Sequence, residues 1–372
     1  MNERILIVDD TPANVQVLQG LLKDKGYQLS VATNGQQALD ALERVRPDLI
    51  LLDVMMPVMD GFETCKRLKG NAAWREIPVI FLTGKTDTTD IVAGFELGAV
   101  DYVSKPFNAH ELLARIHTHV TIDQLRRSLA KAHQREFEMA FKVQSQLIPT
   151  RLPQLPGWEF AARWEPAKEV SGDYYDFIPG GDKLALVVAD VSGKGMPAAL
   201  FMASTRSIIR AEAAAFSGPT EILGKANNLL CADAALGMFV TLFYAEVSPD
   251  HPGLTYVGCG HNPPFWYRAD RKEIAELEPT GPVLAVNEDI QYRTVRIDAG
   301  PGDVFLFYTD GYTEAFNGQQ QLFGDDRLKE ALSRHAGESP QRLLEIVERE
   351  LAAFVGAAPQ SDDRTIVIAK RV

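Results

Sequence analysis

Residues 108–148 contain neither glycine nor proline, so nothing in the backbone chemistry of that stretch stops a helix. Within it Leu112, Ile116, Val120, Leu125, Leu129, Ala132, Ala140, Val143 and Leu147 recur mostly three, four or five residues apart. That spacing predicts one long helix from about Phe107 to Pro149, with an apolar seam broken only by Glu136. A lone helix of this length has nothing of its own to bury the stripe against. It needs a neighbouring domain or a second copy of the chain. The stretch is therefore read as a helix that joins two domains and passes a state between them; a rigid spacer is the plainer alternative.

A chain of 372 residues also exceeds one ordinary core, and 46% apolar with 24% charged residues is the composition of a soluble globular protein. No window approaches eighteen consecutive apolar residues, and RILIVDD reads as a strand rather than a leader, so the expectation is a cytoplasmic protein without a membrane segment. Cys65, Cys231 and Cys259 lie far apart with no metal-ligand spacing, as thiols in a reducing compartment do. The formal net charge is -12. Residues 1–120 carry 16 acids and 12 bases, 121–150 carry 3 and 5, and 151–372 carry 31 and 21. A basic excess of two confined to the connecting helix is no footprint for nucleic acid, so none is expected as a partner.

Before the helix, apolar runs alternate with helical patterns: RILIVDD, then NVQVLQGLLKDKG, YQLSVA, GQQALDALERV, DLILLD, a short helix near 61–69, PVIFLTG, a helix at 88–96, and AVDYVSKP. Five strands with intervening helices predict an α/β doubly wound five-stranded parallel sheet, whose ligands sit beyond the carboxyl ends of the strands. Asp9 and Asp10 end the first strand, Asp53 the third and Thr83 the fourth, and Lys105 follows the fifth. One rim thus gathers carboxylates able to hold Mg²⁺ and to be phosphorylated, with a hydroxyl and an ammonium for the phosphoryl oxygens. Strand-end Asp residues also cap helices, but five such positions on one rim ask for more.

The runs ILIVDD, LLDVMMPVMDG and DYVSKPF resemble the CheY-like receiver domain of two-component response regulators, over residues 1–120. The resemblance implies Asp53 as phospho-acceptor and Asp9 and Asp10 as the acidic pair. Mg²⁺ would be held by these three and the Met55 carbonyl. Thr83 and Lys105 would contact the phosphoryl group, and Tyr102 would be the switch aromatic. A cognate histidine kinase or phosphotransfer protein is the implied partner, and a cis Lys105–Pro106 bond is implied as well.

After Pro149 the texture changes. RLPQLPGWEFAARWEPAKEVSGDYYDFIP reads as turn-rich and aromatic. LALVVAD is a buried strand, and SGKG leads into a helix from about Pro197 to Ala213. A helix near 219–233, the strand MFVTLFYAEV, the segments LTYVGCG, NPPFWYR, QYRTVRI and DVFLFYTDG, two helices near 325–334 and 340–355, and RTIVIAK complete the chain. Many short strands with paired helices predict an α+β domain, a β-sandwich flanked by helices. Asp173, Asp190, Asp310 and Asp362 each fall at a strand boundary. Carboxylates without a His or Cys cluster point to a hard cation, Mg²⁺ or Mn²⁺. Taken singly, TDG is an ordinary turn, and SGKG lacks the spacing of a nucleotide loop.

SGDYYD, DVSGKGMPAAL, MFVTLFY, GHNPPFW, TDGYTEA and DDRT together resemble the metal-dependent PPM (PP2C-like) serine/threonine phosphatases of the SpoIIE/RsbU type, over about residues 140–372. The resemblance implies two Mg²⁺ or Mn²⁺ ions. Asp190 would be shared between them and Val191 would offer its carbonyl; Asp173 would serve the first ion, and Asp310 and Asp362 the second. Asp363 stands next to Asp362 and competes with it for that role. Two such cations would activate one water for attack on phosphoserine or phosphothreonine. His261 is a candidate proton donor, although a turn-closing hydrogen bond is the preferred reading. Lys194 stands where many relatives have His, Ala285 where a Gly is frequent, and no phosphate-gripping Arg is evident.

Together these imply domains at 1–120, a helical linker at 121–150 that dimerises as a coiled coil, and a phosphatase domain at 151–372. The expected function is a response regulator whose effector dephosphorylates a Ser/Thr phosphoprotein, an anti-sigma factor antagonist in related proteins. The alternatives are a phosphatase for another signalling protein and a non-catalytic sigma-factor adaptor.

Overall fold

The computed structural model describes residues 3–84, 88–181, 183–215, 218–234, 237–249 and 252–372, with the backbone alone for 88–91. The chain divides into two compact units, Met1–Gln134 and Arg135–Val372.

The first unit runs β1 (Arg4–Val8), α1 (Pro12–Lys23), β2 (Gln28–Ala32), α2 (Gly35–Leu42), β3 (Leu49–Asp53), α3 (Gly61–Gly70), β4 (Val79–Thr83), α4 (Thr88–Glu96) and β5 (Asp101–Ser104). Its strands pair in parallel in the order β2-β1-β3-β4-β5, the doubly wound sheet expected from the sequence. β3 and β4 are buried at every position, as continuous apolar runs in a sheet covered on both faces must be. Helix starts are locally encoded: Asn34 Oδ1 accepts from the Gln37 N–H and Asp60 Oδ1 from that of Glu63, at 3.0 and 2.8 Å. Because side chains alternate along a strand, Leu6 and Val8 feed one core and Ile5 and Ile7 the other.

The second of those cores is closed by Leu112, Ile116 and Val120 of α5 (Ala109–Ser145). The helix is continuous, as its lack of glycine and proline requires, and ends before Gln146. Its seam is not single. Leu125 and Leu129, expected to extend the line of Leu112, Ile116 and Val120, are instead 64% and 73% exposed. A five-residue step from Val120 to Leu125 turns about 140° around the helix, so the second stripe faces elsewhere. Ile122, Leu125, Leu129, Ala132, Glu136, Met139 and Val143 follow one another at alternating steps of three and four, and all are exposed. Among the described residues no helix is long and apolar enough to cross a membrane.

The second unit contains β6 (Trp158–Glu165), β7 (Tyr174–Gly180), β8 (Lys183–Val191), α6 (Met196–Ala215), α7 (Pro219–Asp233), β9 (Val240–Val247), β10 (Gly253–Cys259), β11 (Phe265–Arg268), β12 (Glu273–Glu276), β13 (Val295–Asp298), β14 (Val304–Tyr308), α8 (Asp310–Thr313), α9 (Gly324–His335), α10 (Pro340–Val355) and β15 (Arg364–Arg371). Two antiparallel five-stranded sheets result, ordered β13-β10-β9-β8-β7 and β12-β11-β14-β15-β6. Phe305, Phe307, Val367 and Ala369 of the second sheet share a core with Leu186, Val188 and Tyr244 of the first. The alternate residues Leu306, Ile366 and Ile368 point the other way, onto Leu328, Leu332, Leu343 and Val347 of α9 and α10. Phe201, Met202, Ile222 and Leu223 cover the first sheet from α6 and α7. This is the helix-flanked sandwich.

The stretch read as turn-rich holds two full strands, β6 and β7. Prolines and glycines cluster around WEFAARWE rather than inside it, and Trp158 and Ala161 are its buried positions. Ala285 has φ of 70°, a left-handed conformation that explains why glycine suits this position. Cys65 and Cys259 are buried and all three thiols are free.

Candidate active sites

In the first unit, β1, β3 and β4 bring their carboxyl ends to one rim. Asp9 is fully buried and Asp53 nearly so, while Asp10 is exposed. One oxygen from each of Asp9, Asp10 and Asp53 lies within 4.8 Å of the other two. The Lys105 ammonium bridges Asp9 Oδ2 and Asp53 Oδ2, 2.8 Å from each. Asp9 is fixed further by the Thr11 N–H at 2.9 Å and the Asn14 amide at 3.0 Å. Burial raises the Asp53 carboxyl above the ordinary carboxylate range, with the Lys105 ammonium pulling the other way. Three carboxylates with oxygen donors only, on a rim open to solvent through Asp10, suit one hard cation such as Mg²⁺. Met55 is exposed, and its backbone N–H is turned to Asp53. The Lys105–Pro106 bond is cis. Thr83 and Tyr102 line a cavity of about 20 Å³ together with Phe62, Phe81, Gly94 and Phe95.

In the second unit the four predicted carboxylates arrive from four places: Asp173 just before β7, Asp190 near the end of β8, Asp310 at the start of α8 and Asp362 before β15. Asp173 and Asp190 act on each other, and Asp310, Asp362 and Asp363 all act electrostatically on Asp190. Asp173 is buried, and its Oδ2 accepts from Thr309 Oγ1 at 2.6 Å and Thr365 Oγ1 at 2.9 Å. Burial raises Asp173, with Asp190 adding to it; burial raises Asp190 too, with Asp310 next. Asp310 is raised by burial and then by Glu314. Among the described residues no three of these carboxylates come as close together as the receiver trio does.

Asp362 and Asp363, ambiguous in sequence, separate clearly. Asp363 accepts from the backbone N–H groups of Ala167 and Gly172 at 2.7 and 2.9 Å, and so pins the SGD loop. Asp362 instead meets the Lys194 ammonium at 2.8 Å, which also donates to the Ser361 carbonyl at 3.0 Å. Two glycines make the gathering possible. A Cβ on Gly172 would stand 2.8 Å from the Val191 carbonyl oxygen, and one on Gly311 only 1.9 Å from the Asp363 carbonyl. His261 is buried and lies 2.8 Å from Thr241 Oγ1 through Nδ1. Burial pushes its imidazole down to about 4, so it stays neutral near pH 7.

The donor set fits hard divalent cations. Every group is an oxygen, the Val191 carbonyl is approached through a gap that only glycine leaves, and on top of burial neighbouring carboxylates push Asp173 and Asp190 up, Asp190 acting on Asp173 and Asp310 on Asp190. Sequence reasoning missed Thr309, Thr365, Ser171, Trp164 and Gln144. The T in YTD and in DDRT was visible, but nothing marked either hydroxyl as reaching across to Asp173.

A parallel sheet with an acidic rim, together with a sandwich that gathers carboxylates from four strand boundaries, defines a receiver joined to a PP2C-like phosphatase domain. The description Stage II sporulation protein E (SpoIIE) matches residues 180–372, and Response regulator receiver domain matches 5–117. The chain belongs to the SpoIIE family. It is 29% identical to the phosphoserine phosphatase RsbU of Bacillus subtilis over 249 residues, 67% of this chain and 74% of that protein. It is 46% identical to the DNA-binding response regulator MtrA of Mycolicibacterium smegmatis over 116 residues, 31% of this chain and 50% of MtrA. The solved SiaA-PP2C domain of Pseudomonas aeruginosa superimposes with a TM-score of 0.59 at 25% identity, covering 66% of this chain and 98% of that domain.

Proposed function

We propose that the chain is a phosphorylation-controlled response regulator whose effector domain is a metal-dependent protein serine/threonine phosphatase. The observation that carries this reading is that Asp173, Asp310 and Asp362 all act on Asp190, whose Oδ1 shares the neighbourhood of Gly172 with the Val191 carbonyl. Asp173, Asp190 and Val191 would hold one divalent cation, and Asp190, Asp310 and Asp362 a second. When bound, such ions supply Lewis acidity and a nucleophilic water at neutral pH.

The remaining work falls to the chain itself. Thr309 and Thr365 orient the Asp173 carboxylate through their hydroxyls, and Asp363 holds the loop that presents it. Lys194 is half-exposed beside Asp362, where an incoming phosphoryl group would meet a positive charge. Neutral, buried His261 braces the GHNPP turn rather than delivering a proton.

In the receiver, Asp53 would accept a phosphoryl group from a histidine kinase or phosphotransfer protein, with Mg²⁺ held by Asp9, Asp10, Asp53 and the Met55 carbonyl. Thr83 and Lys105 would then contact the phosphoryl oxygens. Thr83 and Tyr102 line one small cavity of about 20 Å³, so a change at either side chain is felt by the other. Residues 121–150 would serve as the linker between a receiver at 1–120 and a phosphatase at 151–372. Ile122, Leu125, Leu129, Ala132, Met139 and Val143 follow the a/d spacing of a coiled coil, which favours a homodimer through this helix. Such a regulator would work in the cytoplasm without touching nucleic acid.

The likeness to RsbU favours a phosphoserine protein as substrate, with an anti-sigma factor antagonist as the preferred class. A kinase or another signalling protein is the second reading for the target. A non-catalytic adaptor is disfavoured because all four carboxylates are retained. Hydrolysis of p-nitrophenyl phosphate with Mn²⁺ separates enzyme from adaptor. An Asp310→Asn variant used as a trap in extract identifies the retained phosphoprotein; recovery of a protein unrelated to anti-sigma antagonists would overturn that substrate class.

A further inference from the structure

The last turns of α5 are fastened to the loop that carries Asp173, and by two routes. Gln144 is buried. Its amide Nε2 donates to the Ser171 carbonyl at 2.7 Å, and its Oε1 accepts from the Ser171 N–H at 2.9 Å. The side chain of Gln144 thus pairs with the whole backbone of Ser171, as a neighbouring strand would. Ser171 passes the constraint on: its Oγ accepts from the Asp173 N–H at 3.0 Å.

One turn earlier, the Phe141 ring stacks on Trp164 of β6, with centroids 5.8 Å apart and planes 5° from parallel. Trp164 Nε1 donates to the Asp173 carbonyl at 2.9 Å. The backbone N–H and C=O of Asp173 are therefore each held by a group that α5 touches.

We propose that Gln144 is a positioning residue: through Ser171, and with Phe141 acting in parallel through Trp164, it makes the direction of α5 set where the Asp173 carboxylate stands. The inference rests on the reading of Asp173 as a cation-binding residue and adds how that residue is regulated. The physical basis is the cost of slippage. If α5 turned or slid by an ångström, either Ser171 would follow it, carrying Gly172 and Asp173, or a buried N–H and a buried C=O would lose their partners. Moving the loop keeps both of those buried hydrogen bonds and instead loads the Asp363 contact to the Gly172 N–H, so the strain is passed to the backbone that presents Asp173. A helix that responds to the receiver or to a second copy would then change cation affinity at Asp173 without touching the cation itself.

The test uses the full chain. Mn²⁺ binding is measured by calorimetry in the wild type, in Gln144→Leu and in Trp164→Phe, which keeps the ring but removes the indole N–H. The Asp190→Asn isotherm is subtracted to remove the receiver's contribution. Turnover of p-nitrophenyl phosphate is followed with and without beryllofluoride at Asp53. Gln144→Leu is expected to bind Mn²⁺ at the phosphatase domain about tenfold more weakly, the equivalent of one or two net hydrogen bonds. It should regain turnover within about twofold of wild type when Mn²⁺ saturates, and lose the response to beryllofluoride. Trp164→Phe should shift in the same direction, and takes the place of Gln144→Leu if circular dichroism shows that variant unfolded. Unchanged Mn²⁺ affinity with an intact beryllofluoride response overturns the positioning role alone. A wild type that binds no Mn²⁺ at this domain overturns the phosphatase reading and the positioning role with it.

Discussion

The guanidinium of Arg210 clasps the carboxylate of Asp176, with Nη2 2.7 Å from Oδ1 and Nε 2.5 Å from Oδ2. Arg206, one turn earlier on α6, reaches the same carboxylate at 3.1 Å. Asp176 is buried on β7, so this is where the strand that follows Asp173 is bolted to the helix that follows Asp190. Removing the acid alone strands one mostly buried and one half-exposed arginine. Asp176→Ala is expected to destabilise the second domain by about 3 kcal/mol, read as a lower urea midpoint. Arg210→Ala should cost clearly less, since that side chain is 40% exposed and Arg206 remains with the acid.

Val58, in the loop after Asp53, has φ of 70° although it is β-branched, and it is 85% exposed. The left-handed conformation costs a non-glycine residue about 1–2 kcal/mol. Glycine would relieve that strain, lose no burial, and give back about 0.5–1 kcal/mol in unfolded-chain entropy. Val58→Gly is therefore expected to raise receiver stability by roughly 0.5–1 kcal/mol, seen as a higher thermal midpoint. A lower midpoint would mean that the Val58 side chain makes a stabilising contact.

His261 gives the second domain a defined acid sensitivity. Burial pushes it down to about 4 in the folded protein, against an ordinary value of 6.5. Between those two values the unfolded chain takes up a proton that the folded chain refuses, so this residue's contribution to stability falls as pH drops through the window. The contribution is complete above pH 6.5, and the full loss by pH 4 is on the order of 3 kcal/mol. His261→Gln should flatten the slope of unfolding free energy against pH between 6.5 and 4 by up to about one proton. Parallel slopes for the two proteins would show that the imidazole is protonated when folded.

The exposed stripe of α5 makes its own prediction. Leu125→Glu with Leu129→Glu places like charges in a two-copy seam and is expected to convert a dimer to a monomer in sedimentation velocity. The two positions are exposed, so folding of each unit should be unchanged by circular dichroism. A wild type that sediments as a monomer at micromolar concentration would remove the dimer from the account.

The parallel sheet was legible because its strands read as separate runs, and Asp9, Asp53, Thr83 and Lys105 fall at or next to strand ends, where topology alone decides their neighbours. The strand boundaries that carry the four second-domain carboxylates were legible for the same reason. What stayed hidden depends on contacts between residues distant in the chain. β6 and β7 were obscured by the prolines and glycines around them. The turn of the α5 stripe between Val120 and Leu125 needs helical geometry, not a tally of apolar positions. The pairing of Gln144 with Ser171, 27 residues apart, and that of Thr365 with Asp173, 192 apart, follow only from the closed sandwich. Ala285 was noticed as a departure from glycine, and its φ of 70° supplies the reason.

The reading of the second domain stands on Asp190, which neighbours both halves of the carboxylate cluster. Hydrolysis of a phosphoserine peptide by the full chain, titrated with Mn²⁺ and repeated for Asp190→Asn, tests it most directly. The account predicts turnover that rises and saturates with Mn²⁺ in the wild type, and a loss of at least about a hundredfold in the variant at every Mn²⁺ concentration. A wild type that stays inert at millimolar Mn²⁺, or a variant that matches it, would contradict the account.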